Sequence, residues 1–238
     1  MKVLLVQTRI DPVIRDHERL VVTKSSGLEA RCVFTHNVVE DQNFPLRYLD
    51  DYDGIIMGGA GAFSVIDDED HIPFLEDIAR YCKDTEIPFL GICYGFQIAV
   101  QALGGEIVYD PDKMEAGSYD MFRTTPTNGN PMLQGVPRRF AAACGRKDRA
   151  EVLPDGMTNH LRSVRCKYNF VTFPGSSFYG VQFHPELWRQ SDNLVRVRHY
   201  NKGYGLSEKD LDGERFQDAP HSRNILTNFV DVVRNNNS

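Results

Sequence analysis

The sequence predicts an α/β fold, with a central, mostly parallel β-sheet flanked by helices. Short apolar runs end at glycine or polar residues, as buried parallel strands do. Stretches with helical spacing of apolar residues separate several of these runs, and this alternation is typical of a sheet with helices on both faces. The 238 residues suit one large domain. We therefore expect residues 1–238 to form a single domain, with a polar insertion at about 188–220.

The first half of the chain contains the clearest strand and helix patterns. The runs predicted as strands are KVLLVQ from Lys2, EARCVFTH from Glu29, YDGIIMGGAG from Tyr52 and IPFLGIC from Ile87. Two stretches are predicted as helices, IPFLEDIARYCKD from Ile72 and GFQIAVQALGG from Gly95, of which the second ends at a glycine stop.

The second half has short strand-like runs between Pro, Gly and Asn turns, which predict a small β-ribbon region. These runs are EIVYD from Glu106, FRTTP from Phe122, RRFAAAC from Arg138, HLRSVRCKY from His160, NFVTFP from Asn169 and FYGVQFHPE from Phe178. A closing helix is predicted for NILTNFVDVVRN from Asn224.

Composition excludes several classes of protein. The net charge is −6 without a basic run, so no nucleic-acid partner is expected. No apolar stretch reaches transmembrane length and the N-terminus has no signal-peptide pattern, so we expect a cytoplasmic protein without a membrane partner. The five cysteines are odd in number and lack C-x-x-C spacing, which disfavours disulfides or a zinc site.

The stretch GICYG places one cysteine, Cys93, between two glycines where a predicted strand meets a helix. Such a turn lifts the central side chain above the sheet, because glycines let the backbone pass where a Cβ would clash. A thiol at a helix N-terminus is stabilised as the thiolate. The pattern favours Cys93 as a nucleophile over an incidental cysteine in a tight turn.

A thiol nucleophile needs a base and a group that orients the base. In GVQFHPE, His184 ends a strand-like run and Glu186 follows two residues later. Pro185 favours an extended backbone at His184, and side chains two residues apart then point the same way. We expect a His184–Glu186 pair; a surface histidine beside a surface glutamate is the alternative.

Acyl transfer also requires donors for an oxyanion. MGGAG, at the end of the third predicted strand, supplies backbone N–H groups near the sheet edge, and the N–H of Tyr94 follows the nucleophile. A glycine pair is weak evidence alone. Together with the cysteine turn and the late His-Pro-Glu, it predicts one site at the carboxyl ends of the strands.

The motifs IIMGGAG, PFLGICYGFQIAVQALGG and FYGVQFHPE, in this order, resemble those of class I glutamine amidotransferases. The cysteine turn and GVQFHPE are similar to the amidotransferase part of GMP synthases. The resemblance implies a three-layer flavodoxin-like fold and a catalytic triad of Cys93, His184 and Glu186. It further implies oxyanion donors at Gly59 and Tyr94, and substrate contacts at Gly58 and Gln97.

One stretch departs from the family's pattern. Where the family often has Ser-His-x-Asp before a Leu-Pro pair, this chain has CGRKDRAEVLP, without a histidine. Arg146 or Lys147 is then expected to meet the glutamine carboxylate, unless the acyl donor differs. A solvated loop is the alternative for these basic residues.

The resemblance implies glutamine hydrolysis through a γ-glutamyl thioester, with ammonia passing to a separate synthetase, because no synthetase domain is present in this sequence. This half-reaction needs no metal or organic cofactor. Two alternatives share the motifs: a γ-glutamyl hydrolase or transferase acting on γ-glutamyl amines or peptides, and a non-catalytic binding or regulatory protein.

The polar segment from Trp188 to Pro220 follows the predicted triad directly. Its basic residues cluster early, among aromatic residues, and its acidic residues cluster late. A solvated loop is one interpretation, but loops of this length in a compact domain are often functional. Ser207 with Asp210 predicts the start of a short helix. We expect the basic half to contact the synthetase or an anionic acceptor and to cover the glutamine site.

Overall fold

A computed structural model describes residues 1–124, 129–212 and 215–236. Its strands are β1 (Val3–Gln7), β2 (Val33–Asn37), β3 (Gly54–Met57), β4 (Phe89–Ile92), β5 (Glu106–Tyr109), β6 (Glu115–Arg123), β7 (Arg139–Arg146), β8 (Asp148–Val152), β9 (Thr158–Arg162), β10 (Phe170–Thr172) and β11 (Phe178–Val181). Its helices are α1 (Pro12–Ser26), α2 (Ile72–Asp84), α3 (Tyr94–Ala102), α4 (Gln190–Tyr204), α5 (Glu208–Asp212) and α6 (Asn224–Asn236).

Within the described ranges, one nine-stranded sheet has the order β2-β1-β3-β4-β11-β10-β9-β6-β7. The first five strands are parallel, and the remaining four pair antiparallel. The order of the parallel half is that of flavodoxin-like sheets. The predicted α/β class is confirmed, and most of the late strands extend the central sheet. Only β5 and β8 form a separate ribbon.

Alternate residues of β1 pack into opposite cores, which defines the three layers. Val3 and Leu5 lie in a core that contains residues of α1 and α6. Leu4 and Val6 lie in a second core that contains residues of α2 and α3. The strand is fully buried because helices cover both faces, as expected for a parallel sheet.

Helix α1 was not expected from the sequence, although its ends carry clear signals. The Asp11 side chain accepts hydrogen bonds from the first turn, Pro12 opens the helix, and Gly27 ends it in the left-handed conformation with φ 74°. Elsewhere, the strand predicted from Glu29 begins only at Val33, and the one predicted from His160 ends at Arg162. The run FRTTP from Phe122 extends into residues 125 and 126, which lie outside the described residues.

The segment 188–220 is largely helical where the structure describes it, so a loop is the wrong interpretation. Helix α4 has 15 residues, and α5 follows after Gly205. The predicted start at Ser207 is confirmed: its hydroxyl accepts from the N–H of Asp210, and its own N–H donates to the Asp210 carboxylate at 2.9 Å. Residues 213 and 214 lie outside the described ranges.

Candidate active site

Cys93 lies between β4 and α3 with φ 53° and ψ −99°. This conformation is strained for a residue with a Cβ. Both flanking glycines are required, as the sequence predicts. A Cβ at Gly91 would lie 2.6 Å from the carbonyl oxygen of Gly95, and a Cβ at Gly95 would overlap the backbone of Met57. The turn therefore holds the thiol at the carboxyl end of the parallel strands.

His184 and Glu186 form a buried pair beside this turn. Nδ1 of His184 lies 2.7 Å from Oε1 of Glu186, and the residues are 7% and 1% exposed. The expected contact is confirmed, but Glu186 lies in a 3-10 turn, Pro185–Leu187, and not in an extended segment. The backbone N–H of His184 donates to the carbonyl of Ala143 at 2.8 Å, which anchors the histidine to β7.

Opposing effects set the charge of this pair. Burial alone would lower the pKa of His184, but the charges of Glu186 and Cys93 raise it to about 10. Burial would raise the pKa of Glu186, but the charge and hydrogen bond of His184 lower it. The favoured state is thus an imidazolium held between a carboxylate and the thiol.

The loop after β3 approaches the same point. A Cβ at Gly59 would lie 2.9 Å from Cε1 of His184 and 3.7 Å from Cβ of Cys93, so this glycine is in the site. Gly58 is tied to the sheet instead, because its N–H donates to Val6 and its carbonyl accepts from Gly95. The N–H of Tyr94 belongs to the first turn of α3, whose amides have no acceptor within the helix.

A cavity of about 260 Å³ opens beside Cys93. The predicted substrate-binding residues Gln97, Arg146 and Lys147 all line it. The amide nitrogen of Gln97 donates to the carbonyl of Asp148 at 3.0 Å and to Oε1 of Gln182 at 3.2 Å, which fixes the side chain. The structure therefore brings these three residues to one wall, although it does not test their roles.

Two opposite charges on this wall have unused hydrogen-bonding atoms. Arg146 is 3% exposed and donates through Nε and Nη2 to Glu115, whereas its buried Nη1 has no partner among the described residues. Asp148 accepts from the hydroxyl of Ser64 at 2.6 Å, and its Oδ1 likewise has none within those ranges. Burial raises the pKa of Asp148. Arg146 thus belongs to a buried strand and not to a solvated loop.

Helix α4 covers the site with two tyrosines that sequence analysis did not single out as site residues. Tyr200 packs its ring directly on Gly61 of the loop after β3, where a Cβ would overlap the ring. The Tyr204 hydroxyl lies 2.9 Å from the position of a Cβ at Gly145, whose carbonyl is 3.9 Å from the thiol of Cys93. The tyrosines are four residues apart, so they share one helix face. The expectation that this segment covers the site is confirmed.

A buried group of charges lies behind the pair and was also missed. Arg9 donates to Glu18 at 2.5 Å and to the hydroxyl of Tyr200 at 3.5 Å. Arg196 of α4 lies 3.7 Å from Glu18 and donates to Nδ1 of His17 at 3.0 Å. Burial and the neighbouring charge of Arg9 lower the pKa of Arg196 to about 10.

Gln182 is a further site residue that the sequence could have indicated. Its amide nitrogen lies 3.8 Å from Sγ of Cys93. It precedes His184 by two residues, so strand alternation places both on the same side.

The described residues contain no group of side chains suited to hold a metal ion. Among them, no helix combines the length and the apolar character needed to cross a membrane.

A model of the family described as Glutamine amidotransferase class-I matches residues 20–195. The chain belongs to this family. The matched range contains Cys93, His184 and Glu186, and it includes the start of α4.

Curated relatives include stand-alone subunits and longer chains. A glutamine-hydrolyzing GMP synthase subunit from Archaeoglobus fulgidus is 26% identical over 66% of this chain and 78% of its own length. The corresponding protein of Sulfolobus acidocaldarius is 29% identical over 75% and 87%. The glutamine-hydrolyzing GMP synthase of Thermosipho africanus is 35% identical over 58% of this chain, and the match covers only 25% of that protein.

Solved structures support the fold. A glutamine amidotransferase from Thermotoga maritima superposes with a TM-score of 0.72 at 18% identity, over 98% of this chain and 97% of that one. A glutamine amidotransferase from Methylobacillus flagellatus gives 0.69 at 18% identity, over 97% and 94%. At this identity the likeness bears on the fold alone.

Proposed function

We propose that this single-domain chain hydrolyses glutamine through Cys93, His184 and Glu186 and supplies ammonia to a separate synthetase. The observation that carries the proposal is the strained Cys93 turn beside the buried His184–Glu186 pair, 2.7 Å apart. A non-catalytic protein would have no need to maintain the strained thiol or the buried charges.

The reaction follows from these positions. The thiolate of Cys93 attacks the side-chain amide carbon of glutamine, and the backbone N–H groups of Gly59 and Tyr94 stabilise the oxyanion. His184 gives its proton to the leaving nitrogen and later takes one from the water that cleaves the γ-glutamyl thioester. Glu186 holds the imidazole in place and favours its protonated state.

The cavity wall supports recognition of an amino acid. Arg146 offers its free Nη1 to the α-carboxylate of the substrate, and Oδ1 of Asp148 accepts from the α-ammonium. Gln97, Lys147 and the backbone around Gly58 complete the γ-glutamyl site. Arg146 takes the place of the family's histidine, so the departure from the motif preserves a group that binds the substrate.

A separate protein that accepts the ammonia is supported by the relatives. Two of them are named as one subunit of a GMP synthase, a name that implies a second subunit. The basic early part of the segment 188–220 is the surface that we assign to the synthetase or to an anionic acceptor.

Glutamate release from glutamine by the purified chain tests the function, with Cys93→Ser as the inactive variant and Cys32→Ser as the matched control. Hydrolysis that survives Cys93→Ser would contradict the assignment. Addition of a candidate synthetase should raise the rate. γ-Glutamyl amines and peptides, assayed in parallel, distinguish the alternative donors.

A further inference from the structure

A second, small cavity of about 20 Å³ adjoins the main one. The two share four wall residues, Ala60, Gly145, Tyr200 and Tyr204. The small cavity is bounded by His184, whereas the main cavity is bounded by Cys93. A volume of this size holds one molecule about as large as water. We call it the histidine chamber.

The polar groups of the histidine chamber are built and buried. Its wall includes the guanidinium groups of Arg9 and Arg196 and the amide of Asn193, residues that are 1%, 5% and 2% exposed. Nη2 of Arg196 and Nδ2 of Asn193 have no hydrogen-bond partner among the residues described. Glu18 compensates both arginines from behind without lining the wall. These donors suit a small neutral molecule with a lone pair.

We propose that the histidine chamber is the leaving-group site and accepts one small neutral molecule, ammonia on acylation and water on deacylation. The proposal rests on the proposed function and narrows its substrate class to the primary amide. The acyl part of the substrate lies in the main cavity, against Cys93. The leaving nitrogen must reach His184 for its proton, and His184 bounds the chamber.

The steps balance as follows. The C–S bond forms, the amide C–N bond breaks, and the imidazolium proton moves to the nitrogen, which leaves ammonia and neutral His184. Water then enters, His184 takes a proton from it, the C–O bond forms and the C–S bond breaks. Glutamate leaves, and the thiolate and imidazolium are restored.

Size and charge in the chamber then select the leaving group. A methyl group on the amide nitrogen needs room beside Val197 and Leu187, which line the chamber and are 3% and 2% exposed. Ammonium has no lone pair for the donors on the wall, and the charges of Arg9 and Arg196 disfavour it. Ammonia therefore stays in the neutral form that an acceptor can use.

The experiment compares glutamine, γ-glutamylmethylamide and γ-glutamylglycine as substrates of the full chain. Wild type should prefer glutamine over the methylamide by about 100-fold in kcat/KM, roughly 2.7 kcal/mol. Val197→Ala enlarges the chamber and should reduce this preference by about tenfold. Val195→Ala, the same change on the exposed side of α4, where Val195 is 43% exposed, should leave it unchanged.

A second measurement requires no variant. During glutamine turnover, hydroxylamine should capture the thioester as γ-glutamylhydroxamate, whereas butylamine at equal free-base concentration should not. Equal cleavage of all three substrates, or capture by both amines alike, overturns the chamber while γ-glutamyl hydrolysis stands. Failure to cleave any γ-glutamyl compound overturns the proposed function, and the chamber with it.

Discussion

Nδ1 of His184 and Oε1 of Glu186 lie 2.7 Å apart in a pocket that excludes nearly all solvent from both side chains. An isolated imidazolium would be disfavoured at this depth, and the carboxylate reverses that preference. The pair therefore determines the pH range over which His184 holds a proton for the leaving group.

Replacing Glu186 should change the pH profile as well as the rate. The pKa of His184 is raised to about 10, so the imidazolium persists until the pH rises through that value. Glu186→Gln removes the negative charge, and the alkaline limb of kcat/KM should move down by a pH unit or more. His184→Ala should cost more, about 10³-fold in kcat, because the proton donor itself is lost. An unshifted limb in Glu186→Gln would show that the carboxylate is incidental.

Labelling with a glutamine-analogue electrophile should modify Cys93 alone. Burial raises the pKa of Cys82, Cys144 and Cys166, which keeps these thiols protonated and unreactive. Mass mapping of the labelled peptide checks the site, and excess glutamine should protect it. Cys32 is partly exposed, so Cys32→Ser is the control for unspecific alkylation. Label on Cys166 with Cys93 unmodified would refute the nucleophile.

Arg146 should affect substrate binding more than chemistry. Its loss alone would leave Glu115 buried and unpaired, so the informative variant replaces both charges, Arg146→Gln with Glu115→Gln. The KM for glutamine should rise by about tenfold or more, the value of a lost charge-assisted hydrogen bond, with a smaller change in kcat. Arg149→Gln, outside the cavity wall, is the control. A double variant with unchanged KM would place the α-carboxylate elsewhere.

Gly61→Ala should displace α4 from the site. The added Cβ overlaps the ring of Tyr200, so the ring must move and glutamine kcat/KM should fall by about tenfold. Tyr200→Ala removes the obstacle, and the double variant should be no worse than Tyr200→Ala alone. Such non-additivity in kcat/KM is the signature of direct contact. Strictly additive losses would show that Gly61 and Tyr200 act separately.

The sequence was most informative where the backbone itself required particular residues. Gly91 and Gly95 mark the Cys93 turn because no other residue fits so close to the neighbouring backbone. Apolar periodicity located α2 and α6, whose buried faces consist mostly of Ile, Leu, Phe and Val side chains. In such cases local pattern and tertiary packing point to the same structure.

Helix α4 escaped prediction for the opposite reason. Its buried residues include Asn193 and Arg196, so its inner face is polar and its periodicity does not stand out. The partners of these side chains, such as Glu18 and His17, are distant in sequence. The same holds for Arg146, whose ion pair with Glu115 joins two strands. Only the folded chain shows which of the charged residues are buried together.

The contact between Arg9 and Tyr200 joins residues 191 positions apart. A chain that emerges from the ribosome presents Cys93 long before it presents α4. Throughout the second half of synthesis the nucleophile exists without the tyrosines that enclose it. Closing so long a loop also carries an entropic cost that only the completed fold offsets. The enclosed site therefore forms late in the protein's own production, which delays hydrolysis until the chain is nearly finished.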